Sequence, residues 1–212
     1  MTNAWKQPAL KAGVFAAGLM PLAVIGGQAL THNLGANPIE EITNQTGIWT
    51  LRLLLITLAV TPARRLTGWN RLIQLRRMLG LFAFFYGSLH FLTYIWLDQF
   101  FAIDEIIADV MERPFITVGF ASFALLIPLA VTSTTAMIRR LGGKWWQRLH
   151  RLVYAIAIGG VVHYLWLVKA DIQEPLIYGS ILGGLLVYRV WDMYGRRLLA
   201  GMTPLRRVPV RR

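Results

Sequence analysis

Three of the four histidines, His90, His150 and His163, lie in or at the end of long apolar stretches, whereas His32 sits in a polar segment. An ionisable side chain inside an apolar span is costly and marks function by default. A neutral imidazole offers a nitrogen lone pair to a metal, and two imidazoles on separate helices supply both axial positions of a haem. The chain contains no cysteine. The C-x-x-C-H motif of covalent haem attachment is therefore absent, and any haem is b-type and held non-covalently.

The elements that must position these histidines follow from composition. Of 212 residues, 56% are hydrophobic, and the apolar runs approach the ~20 residues that cross a bilayer. An all-α, polytopic membrane bundle is expected, a single domain over residues 1–212. Six transmembrane helices are predicted, at about 12–30, 47–63, 78–100, 114–137, 151–168 and 175–194. Short connections make neighbouring helices antiparallel, an arrangement that places cofactors between facing helices. The first stretch follows Lys6 and Lys11 and imitates a signal peptide, but it lacks an A-x-A cleavage site and is expected to be retained. Pro21 is expected to kink it, because a membrane helix tolerates proline where neighbours satisfy the freed backbone groups.

Charge sets the orientation. Lys6 and Lys11, then Arg64, Arg65, Arg71, Arg76 and Arg77, then Arg139, Arg140, Lys144, Arg148 and Arg151, and seven arginines from Arg189 to Arg212 fall on one side of the six-span arrangement. The positive-inside rule makes that side cytoplasmic, so both termini are expected inside. Glu40, Glu41, Asp98, Asp104, Glu105, Asp109, Glu112, Asp171 and Glu174 fall on the other side, an acidic face able to steer a basic soluble partner. Trp49, Trp96 and Trp166 near the outer ends, with Trp5, Trp69, Trp145, Trp146 and Trp191 near the inner ends, form two aromatic belts. The net charge of +12 is thus spread over short juxtamembrane loops, where it serves topology and anionic lipid rather than nucleic acid.

Within this frame His90 lies 13 residues beyond Arg77, and His163 lies 13 residues beyond His150. Each is ~20 Å from the inner end at ~1.5 Å per residue. The depths match, as an axial pair requires. His150 is offset from His163 by roughly 140° on an ideal helix, so it either depends on loosening at Gly159 and Gly160 or belongs to the preceding loop. Arg52, about one turn into the second span from the outer side, is a candidate partner for a haem propionate or a snorkelling side chain. Thr132, Ser133 and Thr134, beside Arg77, Arg139, Arg140, Lys144 and Trp145, form a candidate phosphate-binding region for a flavin nucleotide, or simply bond back to their helix.

Arg76-Arg77-Met78-Leu79-Gly80-Leu81, His90, Thr132-Ser133-Thr134, Trp146-Gln147-Arg148-Leu149-His150 and His163-Tyr164 resemble the haem-binding membrane subunits of bacterial periplasmic methionine sulfoxide reductase systems. These are members of the ferric reductase-like transmembrane family, and the resemblance covers nearly the whole chain. It implies that His90, His163 and His150 are the haem-associated histidines, with His150 on the side of an inner haem or flavin. It implies haem b and FMN as cofactors, respiratory quinol as electron source, and a periplasmic molybdopterin reductase, MsrP, as heterodimeric partner. Larger relatives carry a second histidine early in the third span, where this chain has arginine. No G-x-G-x-x-G is present, so electrons are expected from a donor other than a bound dinucleotide. No nucleophile, base and acid stand together, so substrate chemistry is expected on the partner. Two other classes remain: a proton-coupled or metal-ion transporter using the intramembrane histidines, and a membrane anchor with no redox role. A transporter is expected to show midplane carboxylates or inverted repeats. All ten acids here lie in loops or at helix ends.

Overall fold

The computed structural model describes residues 6–168 and 170–202. Trp5 and the arginines at 206, 207, 211 and 212, used above for orientation, lie outside the described residues. Among the described residues the chain is helical throughout: α1 (Lys6–Leu30), α2 (Pro38–Thr67), α3 (Arg76–Thr93), α4 (Ile103–Glu112), α5 (Pro114–Val131), α6 (Thr135–Leu141), α7 (Gly143–Leu149), α8 (Leu152–Leu167) and α9 (Gln173–Met202). A 3₁₀ turn, Asn70–Gln74, precedes α3, and a π-helical turn, Tyr94–Asp98, extends it. Four helical stretches are long and apolar enough to cross a membrane: Pro8–Leu30, Pro38–Thr67, Arg76–Asp98 and Pro114–Val131. The protein is a multi-pass membrane protein.

Local chemistry sets the helix ends. Asn37 caps α2, its side chain accepting from the Glu40 N–H while its amide donates to the Glu40 carboxylate, and Pro38 occupies the first helical position, where a missing N–H costs nothing. Gly68, at φ 69°, closes the other end in the left-handed conformation. The fourth predicted span, at about 114–137, is longer than the helix that forms there. α5 stops at Val131 because the Thr132 and Ser133 hydroxyls donate to the carbonyls of Pro128 and Leu129 at 2.6 and 2.7 Å, and Thr134 caps a new helix by accepting from Met137 N–H. Hydroxyls that satisfy the last carbonyls of one helix remove the need to continue it. The stretch after Asp98, read as a loop, contains α4 instead. It is entered through Phe100 and Phe101, both at positive φ.

The core is built around α2, whose Leu51, Leu54, Leu55 and Leu58 are buried against Phe82, Ala83 and Tyr86 of α3 and Val153, Ile156 and Ala157 of α8. α2 packs along α3, and α5 along α8. Outward residues such as Met20, Val24 and Val187 are exposed and apolar. That pattern suits lipid contact, since helix association in a bilayer relies on packing and polar bonds rather than on hiding every apolar face.

Pro21 lies inside α1, and Tyr86 of α3 bonds into the turn beside it. Its hydroxyl donates to the Gly18 carbonyl at 2.8 Å and accepts from the Leu22 N–H at 3.0 Å, entering the ladder of α1 beside the proline. Tyr86 is fully buried. Tyr86→Phe is therefore expected to leave two backbone groups short of a partner and to lower stability by about 1–3 kcal/mol. Thermal unfolding in detergent measures it, and an unchanged midpoint would show that α1 does not depend on this hydroxyl.

Candidate functional site

α3 and α8 each carry one histidine inward near the end of the bundle where α2 and α5 begin. The His90 and His163 ring centres are 6.0 Å apart, with planes at 77°. Each ring is fixed by a backbone carbonyl of the helix beside it: His90 Nδ1 lies 2.8 Å from the Thr43 carbonyl of α2, and His163 Nδ1 lies 2.7 Å from the Phe115 carbonyl of α5. A carbonyl only accepts, so Nδ1 carries the proton in both rings. In the neutral imidazole this leaves the Nε2 lone pair for a metal, the arrangement that orients a metal-ligating histidine and raises its basicity.

The donor set defines the kind of metal. Two imidazoles bound to one metal from opposite sides, with bonds of about 2 Å, have centres roughly 6 Å apart. The observed separation matches that spacing. Among the described residues there is no group of three or more His, Cys, Asp or Glu that could hold a bare ion. A two-nitrogen axial set suits a metal whose other positions are filled by a macrocycle, and the residues present fit haem.

The sequence-predicted histidines separate into one pair and one outlier. His150 ends α7, one turn before α8, and so belongs to the connecting segment rather than to the helical stripe of His163. Its ring stacks on Trp146, centres 3.9 Å apart and planes at 27°, and its Nε2 lies 3.1 Å from the Thr132 hydroxyl. Trp146 Nε1 also donates to the Thr132 carbonyl at 2.9 Å. Burial, and then the charge of Arg76, push His150 below the usual histidine range, so its ring is neutral at neutral pH. Arg76 is thus close to His150.

Arg52 is held within the protein. Its Nε donates to the Tyr178 hydroxyl at 2.8 Å, and its guanidinium lies over Trp49, 5.0 Å from the ring centre. Those contacts leave further guanidinium N–H donors for a propionate. In the region assigned to flavin phosphate, Thr132 is buried and bonded to Pro128 and His150, Ser133 is bonded to Leu129, and Thr134 is the α6 cap. Arg77, Arg139, Arg140, Lys144 and Trp145 are exposed. Arg148 covers Trp145 at 5.0 Å. On the other side of the bundle, Asp109 is engaged by Tyr94, Gln99 and Arg113 at 3.1, 3.1 and 3.2 Å. It fastens α4 to the end of α3 and is not a free docking charge, whereas Asp104 and Glu105 are exposed on the first turn of α4.

Residues 46–161 match the family model described as the ferric reductase like transmembrane component. The chain belongs to the ferric reductase-like transmembrane family. The match spans His90 and His150 and ends just before His163. Among curated relatives, the protein-methionine-sulfoxide reductase heme-binding subunit MsrQ of Herminiimonas arsenicoxydans is 56% identical over 190 residues, 89% of this chain and 87% of that one. The subunit of the same name from Azospira oryzae is 54% identical over 202 residues, 95% of this chain and 85% of that one. That of Ralstonia nicotianae is 50% identical over 204 residues, 93% and 94% of the two chains. These relatives are named as heme-binding subunits. The carbonyls of Thr43 and Phe115 that aim the two imidazoles carry no signature in the sequence, because every residue has such a group.

Proposed function

We propose that this chain is a membrane electron-transfer subunit that carries b-type haem and FMN, receives electrons from respiratory quinol and delivers them to a periplasmic molybdopterin methionine sulfoxide reductase, MsrP. The observation that carries this reading is the His90–His163 pair, ring centres 6.0 Å apart with both Nδ1 atoms engaged by backbone carbonyls. Held there by His90 and His163, haem would supply a reversible one-electron change at iron, the chemistry of electron transfer. The chain's own residues hold the two ring orientations, keep Nε2 unprotonated and wall the site with apolar helices. The relatives are named as haem-binding subunits of a methionine sulfoxide reductase, which supports both the cofactor and the partner.

Six crossings with both termini cytoplasmic complete the reading. α8 supports this count although it is only 16 residues long. It runs antiparallel beside α5 from end to end, with His163 at Phe115 and, just before α8, His150 at Thr132, so a membrane that contains α5 also contains α8. α9 then returns the chain. The test is the visible spectrum of the purified protein. A sharp reduced b-type signature is expected, and a protein free of haem when made with ample haem supply would overturn the proposal.

In this orientation Asp104 and Glu105 face the periplasm, where they are expected to attract a basic patch on the partner. Neutralising both to Asn and Gln, with Asp109 left in place, is expected to slow electron transfer to the partner at low salt, by about tenfold or less, and to flatten its salt dependence. Rates measured across a salt series that match the unaltered protein would show that these acids play no part in docking.

A further inference from the structure

The two histidine anchors repeat one construction on two unrelated pairs of helices. In a regular α-helix the carbonyl of one residue accepts from the N–H four residues later. The Thr43 carbonyl that receives His90 is thus the partner of the N–H of Gly47, and the Phe115 carbonyl that receives His163 is the partner of the N–H of Gly119. Cα–Cβ bonds tilt toward the helix N-terminus, so a side chain at the later residue covers the turn containing that carbonyl. In both places the covering residue is glycine.

The room left is small and filled by the imidazole. A Cβ built at Gly47 would stand 3.0 Å from both Cε1 and Nδ1 of His90. One built at Gly119 would stand 2.7 Å from Nδ1 and 2.9 Å from Cε1 of His163. Neither ring can yield freely, since each is bonded to the carbonyl beneath and, in the proposed function on which this inference rests, to iron on its other side. Among the described residues only these two helical glycines face an imidazole: a Cβ at Gly18 would meet the Phe82 ring at 2.6 Å and one at Gly159 would meet Ser122 Oγ, while others have room. A Cβ at Gly80 would meet nothing nearer than Thr57 Cγ2 at 3.9 Å, and one at Gly160 nothing nearer than Leu51 Cδ1 at 3.5 Å.

We infer that Gly47 and Gly119 are positioning residues for the two axial imidazoles: each bares one helix carbonyl, which then sets the ring's tilt, its protonated nitrogen and the basicity of the nitrogen facing the metal. The consequences reach the metal through the histidine alone. An alanine at either position displaces the ring and weakens its Nδ1–H bond. Loss of such an outer partner typically costs about 10–100-fold in metal affinity. A less basic imidazole also stabilises ferric iron less, so the midpoint potential rises.

The experiment compares purified, haem-loaded protein carrying Gly47→Ala or Gly119→Ala with Gly80→Ala and Gly160→Ala controls. Haem content, midpoint potential and the ferric EPR spectrum are read on each. Axial imidazoles near 77° give low-spin ferric haem a strongly anisotropic signal, which changes when a ring turns. The first two variants are expected to lose haem about 10–100-fold more readily, and in the retained fraction to show a raised potential and an altered signal. The controls are expected to match the unaltered protein. Unchanged haem retention, potential and EPR in both Gly47→Ala and Gly119→Ala would overturn the inference. Failure of Gly119→Ala to fold is resolved by the double variant with His163→Ala. Stability equal to that of His163→Ala supports a clash with the ring, and lower stability shows that alanine disrupts helix packing itself and overturns the positioning role. Haem retained in full by His163→Ala would bring down the assignment of His163 as a haem ligand, and the inference with it.

Discussion

Alanine in place of His90 or His163 is expected to remove the outer haem from the purified protein while leaving membrane insertion intact. Insertion depends on apolar spans recognised as the chain enters the bilayer, and neither substitution adds a charge to one. Haem retention depends on two ligands that act as a unit, so loss of either should exceed the about 10–100-fold cost of losing an outer partner alone. The two variants should also agree with each other, since the rings are held in equivalent ways by Thr43 and Phe115. Haem content, the reduced spectrum and the amount of membrane-embedded protein measure the effect. Unchanged haem and spectra in both variants would refute the axial assignment.

His150→Ala is expected to act elsewhere. Its neutral ring stacks on Trp146, bonds to Thr132 and lies near Arg76, at the end of the bundle opposite His90 and His163. The variant should keep the outer haem, perturb the second haem or the flavin, and slow quinol-driven reduction about tenfold or more, the scale of losing a group that orients a cofactor. Stopped-flow reduction with a quinol analogue, alongside haem and flavin stoichiometry, measures this. Wild-type stoichiometry together with wild-type kinetics would make His150 an interfacial residue with no part in the electron route.

Class and site were legible in the sequence for different reasons. Apolar run length reports what a membrane requires of a helix, and this placed α8 and the α3 stretch close to their observed bounds and fell inside the longer α1 and α2. Matched spacing of His90 and His163 from the basic ends of their spans reports depth, because rise per residue is constant in a helix. Where hydroxyls and local bonds compete with helix continuation, run length misleads, as at Thr132 and Ser133. The amphipathic α4 was likewise hidden by its short length and its acids.

What the sequence alone determined is that this is a helical membrane protein with two imidazoles at one depth and no cysteine to tether a cofactor. Depth is a one-dimensional quantity, and a chain of fixed rise encodes it. Only the tertiary structure decided that the two rings lie 6.0 Å apart, that backbone carbonyls beside Gly47 and Gly119 set their nitrogens, that Tyr86 bonds into the turn of α1 beside Pro21, and that Asp109 is tied down while Asp104 and Glu105 are not. These depend on helix rotation and on which helix lies beside which. Both are fixed by packing between residues distant in sequence, where a glycine differs from any other glycine only by what stands across from it.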